Sequence, residues 1–120
     1  MREYHHLGIP TTEVKEDEKW VPHLKIYVSG YDKSEYKIEW VRFADDADTM
    51  YPPLLMKVPH VAFRVNDLEA EIKGKNLIWG PFESLPGFMV AFIEENGVPV
   101  EFIETSLTEN EILQIVKDRT

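Results

Sequence analysis

The chain has 120 residues, 43% of them apolar, which is enough for one domain with a real core and too little for two. A net charge of −9 argues against nucleic acid as the main partner, because phosphate binding needs concentrated Lys and Arg. There is no cysteine, so disulfides, zinc fingers, thiol catalysis and iron–sulfur clusters are excluded, and any metal site must use His, Asp, Glu or backbone oxygens.

In chain order, residues 4–9 (YHHLGI) predict a first strand closed by Pro10. Residues 11–20 (TTEVKEDEKW) read as one poor helix or a loop, with Glu16, Asp17 and Glu18 on a solvated face. Two β-rich runs, 23–30 and 35–43, are separated by YDKS and predict a hairpin. Residues 44–53 (ADDADTMYPP) form a connector, since prolines and aspartates disfavour any regular element. Residues 58–65 predict a strand with Val61, Phe63 and Val65 on one face and His60, Ala62 and Arg64 on the other. Asp67 then caps a short helix reaching about Lys73.

Residues 77–87 (LIWGPFESLPG) predict a short strand and a Gly/Pro-punctuated loop, which either lines the mouth of a cavity or merely joins two strands. Residues 88–104 predict a hairpin turning at Asn96-Gly97. The tail 107–118 predicts a helix with a capping box (Thr108 and Glu111) and a staple between Leu107 and Ile112, docked through Ile112, Ile115 and Val116. No apolar run approaches the length of a membrane span, and no charged-then-apolar leader opens the chain, so a cytoplasmic protein without a membrane partner is expected.

The two halves, 3–45 and 58–105 of a single 1–120 domain, echo one another. HHLGIP resembles PHVAFRV, and YKIEWVRF resembles VPVEFIET, so His6 and Glu39 are matched by His60 and Glu101. Glu39 and Glu101 sit in strands that are apolar on both faces, and a buried carboxylate must be paired, hydrogen-bonded or metal-bound. A divalent metal held by His6, Glu39, His60 and Glu101 meets that need, and imidazole with carboxylate suits Zn, Ni, Co, Mn or Fe. The small neighbours Gly8 and Ala62 leave space on the histidine faces. The alternatives are core histidines and carboxylates paired with nearby bases. His5 falls on the face opposite His6 as a partly exposed structural histidine, and His23 opens a strand in a mainly structural role.

With HHLGI, PHVAFRVNDLEAEI and NGVPVEFIE on the page, residues 4–104 resemble the vicinal oxygen chelate superfamily of glyoxalases, bleomycin-resistance proteins and extradiol dioxygenases. The resemblance implies an α+β fold of two βαβββ modules, the first shortened, forming a cupped mixed sheet, with the C-terminal helix added. It implies a divalent metal on His6, Glu39, His60 and Glu101. The function expected first is a glyoxalase-like isomerase, epimerase or lyase, with Glu101 and Glu39 moving a proton on a small substrate with adjacent oxygens. A metal-free module that sequesters small molecules is the alternative. An extradiol-type dioxygenase on His6, His60 and Glu101 is third. A homodimer is expected, because sheet edges and a shallow cup favour one.

Overall fold

The structure is a computed structural model that describes residues 2–118. Met1, Arg119 and Thr120, the ends of the expected 1–120 unit, lie outside the described residues. Eight strands form one mixed sheet: β1 (Arg2–Pro10), β2 (Lys19–Val21), β3 (Ile26–Ser29), β4 (Ile38–Phe43), β5 (His60–Val65), β6 (Leu77–Leu85), β7 (Phe88–Glu95) and β8 (Val98–Thr105). Their order across the sheet is β2-β3-β4-β1-β5-β8-β7-β6.

Each half follows the same path. A first strand is joined in parallel by the last strand of its half, β1 by β4 and β5 by β8. The remaining strands continue outward as antiparallel hairpins. The two first strands pair antiparallel at the centre, which curls the sheet into a cup. This is the α+β architecture expected from the duplication. The first half has no helix between β1 and β2, and its outermost strand has three residues against nine in β6.

Three helices complete the fold: α1 (Pro53–Lys57), α2 (Leu68–Ile72) and α3 (Glu109–Asp118). Asp67 caps α2 by accepting a hydrogen bond from Ala70 N at 3.2 Å. The helix packs Leu68 against Ala91, Ile93 and Phe102 on the outside of the cup. Thr108 and Glu111 close the predicted capping box, each side chain accepting from the other's backbone N–H. Ile112 and Val116 of α3 are buried in the same core as Val28, Val41, Val90 and Ile103, on the inner face; Ile115 stays half-buried. The Asn96-Gly97 turn has φ of 50° and 84°, the two positive angles that a tight hairpin requires.

Two expectations fail for local reasons. The connector 44–53 contains a 3-10 turn (Ala47–Thr49), and its last residue opens α1. Pro53 is tolerated there because the first helical position has no N–H bond to lose. The Gly80-Pro81 pair does not end β6, which runs on to Leu85 as an edge strand. Register shifts along its pairing with β7 absorb the irregularity.

Candidate metal centre

The strand registers place the matched residues in two rows. In one, Glu39 of β4, Gly8 of β1 and His60 of β5 are neighbours; in the other, Glu101 of β8, Ala62 of β5 and His6 of β1 are neighbours. Each row is thus a glutamate, a small residue and a histidine. The small residue is required in at least the first row: a Cβ on Gly8 would fall 2.6 Å from Nε2 of His60 and collide with its ring. The His60 imidazole lies where a side chain at position 8 would otherwise be.

His6 Nε2 lies 3.3 Å and His60 Nε2 3.1 Å from the same oxygen, Glu101 Oε1, and donor atoms of all three residues fall within 4.8 Å of one another. Ligands bound at about 2.0–2.1 Å to one cation stand roughly 2.9–3.4 Å apart at octahedral or tetrahedral angles, so the spacing suits a shared metal. His60 Nε2 is buried and out of line for a hydrogen bond to Glu101, leaving it with no partner among the described residues. An unpaired buried nitrogen beside a carboxylate is a donor pair that a cation could satisfy. Three possible ligands are therefore gathered in the cup. Glu39, the fourth expected one, lies outside this group but lines the same cavity.

A second set of contacts was not expected from the sequence. Between Tyr4 and His6 the pairing of β1 with β5 slips by one residue, so the strict alternation assumed for this strand fails. His5 is consequently buried rather than partly exposed, and its Nδ1 lies 2.8 Å from Nδ1 of His6. His5 Nε2 lies 3.3 Å from the hydroxyl of Tyr31, which donates to Glu109 Oε1 at 2.9 Å. Lys37 Nζ completes the series, 3.4 Å from the same carboxylate oxygen.

The hydrogens in this series run one way. Burial first, and then the bond to Glu109, push the Tyr31 hydroxyl up, so it keeps its proton and donates a hydrogen bond to Glu109. Its oxygen must then accept from His5 Nε2–H. Burial first, and then His6, lower His5 to about 4, so it is neutral near pH 7 and has a single N–H. Its Nδ1 therefore accepts from Nδ1–H of His6. A neutral His6 is left with a lone pair on Nε2, beside Glu101 and the orphaned nitrogen of His60.

A lone pair on His6, the unpartnered nitrogen of His60 and the Glu101 carboxylate face one another, an arrangement that a cation would satisfy. Burial would lower the pKa of His6, but contact with Glu101 and its charge outweigh burial and raise it. Burial would likewise raise Glu101, yet the two imidazoles beside it win and hold the carboxyl well below the usual range. A proton can supply the charge, and so can a metal that displaces it.

The cluster forms one end of a cavity of about 130 Å³ whose remaining lining is mainly apolar. Trp79, Phe82, Ser84, Leu85 and Phe88 reach it, so the 79–88 segment lines the cup rather than merely joining strands. His23 is exposed, and its Nε2 lies 2.5 Å from the carbonyl oxygen of Ser84, linking the segment before β3 to the far strand β6 across the cup.

No family model and no curated protein matches the sequence. Among solved structures, the fold is similar to the hypothetical protein BH1468 from Bacillus halodurans C-125. The TM-score is 0.66 at 21% identity, over 89% of this chain and 96% of that one. It is also similar to methylmalonyl-CoA epimerase from Mycobacterium tuberculosis. Here the TM-score is 0.55 at 18% identity, over 88% and 89% of the two chains. Both likenesses are of fold, and the cupped sheet they share is the one implied by the resemblance to the vicinal oxygen chelate superfamily.

Proposed function

We propose that the chain is a metal-dependent enzyme of the vicinal oxygen chelate type. It would move a proton at a carbon next to a carbonyl in a small molecule with adjacent oxygens, in an isomerase, epimerase or lyase step. The observation that carries this reading is the convergence of His6, His60 and Glu101, with an unpartnered buried nitrogen on His60, at one end of an apolar cavity. The similarity of fold to an epimerase supports it.

His6, His60 and Glu101 would hold the cation. When bound, a divalent metal supplies Lewis acidity that polarises the carbonyl and acidifies the neighbouring C–H. Because Glu101 sits between two imidazoles, its part is to hold; Glu39, in the cavity but free of that group, takes the proton from carbon and returns it. The apolar walls keep bulk water from competing.

Solvent deuterium exchange into small α-hydroxy ketones and α-keto aldehydes, followed by NMR, tests the assignment. Exchange is expected with metal-loaded protein and is expected to fall by about 100-fold or more in Glu39→Gln. Full exchange in that variant would remove Glu39 from the mechanism.

One observation favours a second reading. The three possible ligands that lie together are two histidines and one carboxylate, which is also the facial set of Fe(II) oxygenases. Oxygen uptake with a catechol by the Fe²⁺-loaded protein, without proton exchange in carbonyl substrates, would select that reading.

A homodimer remains part of the proposal. The outer face of β2, β3 and β4 carries half-buried Trp20, Tyr27 and Trp40, while α2 packs on the other half. Light scattering is expected to give twice the 14.0 kDa chain mass.

A further inference from the structure

We propose that the cup accepts an uncharged, mainly apolar molecule with the bulk of about one six-membered ring, which turns its two adjacent oxygens toward His6, His60 and Glu101. This deepens the reading above and rests on it for the oxygen pair alone. The charge, surface and size of the cup carry the rest.

Charge comes first. Among the described residues, no Lys or Arg lines the cavity, whereas Glu39 and Glu101 both do. Two cations beside this part of the sheet are already engaged. Arg64 donates to the carbonyl oxygen of Thr105 at 2.9 Å, and Lys37 lies over the Tyr31 ring and beside Glu109. A carboxylate or phosphate at the far end of a bound molecule would lose its water and gain no partner. Glu39, which lies outside the cation-holding group, would also repel it across an apolar space, where charges are poorly screened.

Part of the lining is a continuous run of aromatic rings. Phe92 meets His60 edge-on with centroids 5.3 Å apart, and Trp79 follows 5.7 Å from Phe92. Trp79 then meets both Tyr51 at 4.6 Å and Phe82 at 4.5 Å. This wall begins at a proposed metal ligand and runs outward, so a ring attached to the chelating oxygens would lie along it. The gathered His6, His60 and Glu101 would engage the oxygens, which fixes the orientation of such a molecule.

Size sets the upper limit. The cavity holds about 130 Å³, and a dry apolar cavity of roughly 150 Å³ accommodates one benzene ring. A second fused ring or a long acyl carrier would have to project from the open side into water, unless α3 or the 79–88 segment moves.

Calorimetric titration with matched probes tests this. Benzohydroxamic, acetohydroxamic, 4-carboxybenzohydroxamic and 2-naphthohydroxamic acids would be titrated into zinc-loaded protein. In parallel, acetophenone and 4-acetylbenzoate would be titrated into metal-free protein. Benzohydroxamic acid is expected to bind about tenfold or more tighter than each of the other three hydroxamates, and acetophenone about tenfold tighter than 4-acetylbenzoate. Equal or tighter binding of the carboxylated compounds, or no binding of any ring compound in either form, would overturn the proposal. If acetophenone discriminates as expected but the hydroxamate group adds nothing in the presence of zinc, the substrate class stands and the metal reading fails.

Discussion

Gly8 and His60 are partners across β1 and β5, and the imidazole occupies the space over the glycine. Gly8→Ala should therefore displace His60 and weaken metal binding by about 100-fold or more, while Ala62→Gly leaves it within a few-fold. Competition with a chromophoric chelator measures both, and unchanged affinity in Gly8→Ala would refute the packing argument. Tyr31 acts at one remove, by fixing which nitrogen of His6 carries hydrogen. Tyr31→Phe removes the only proton between Tyr31 and Glu109, and metal affinity should drop by about tenfold, within the range for residues that orient a ligand. Nitrogen-15 spectra of the metal-free protein should show His5 as the Nε2–H tautomer in the wild type and a mixture in the variant. A histidine on a first strand and a glutamate on a last strand were legible in the sequence twice over. His5 was not, because a one-residue slip in strand pairing leaves no mark in an apolar–polar pattern.

At the level of elements, α3 closes the inner face of the cup through Ile112 and Val116. Ile112→Ala should cost about 2–5 kcal/mol in urea unfolding, since it opens a hole beside a cavity that already exists. The acidic segment before β2 is held differently. Glu18 accepts from Arg42 Nε at 3.1 Å and Nη2 at 2.5 Å, and that bond holds its carboxyl below the usual value despite partial burial. A depressed carboxyl stabilises the fold above its unfolded pKa and loses that contribution as pH falls through the lower folded value. Arg42→Ala should therefore unfold at lower urea than the wild type near neutrality, and the gap should narrow below about pH 4. A gap that widens on acidification would contradict the assignment. Capped and turn-marked elements (α2, α3 and the Asn96-Gly97 hairpin) were readable because their signals are local. Helix α1 and the long β6 were not, because proline and glycine mark boundaries only where a backbone N–H or a regular register is needed.

On the scale of the whole molecule, one strand path used twice brings two glutamate–small–histidine rows to the centre of a cup. The symmetry holds for the strand path and these two rows, but not for strand lengths or for how the two glutamates are held. Glu101 is held between β5 and β7, opposite Ala62 and Phe92, and is 6% exposed. Glu39 is held by β1 alone, because the pairing of β3 with β4 reaches only Trp40, and it stays half-buried. A repeat read from sequence offers four candidate ligands, with Glu39 the least secure because the first half is short. The short outer strands of the first half release one of them from the cluster. Among the described residues, no helix is long and apolar enough to cross a membrane.

The central claim is that His6, His60 and Glu101 bind one divalent cation and that Glu39 is not needed to hold it. Elemental analysis by plasma mass spectrometry, on untagged protein dialysed against limiting metal, tests this directly in the wild type, His60→Ala and Glu39→Gln. About one ion per chain is expected in the wild type and in Glu39→Gln, and almost none in His60→Ala. A metal-free wild type, or full occupancy in His60→Ala, would contradict the account.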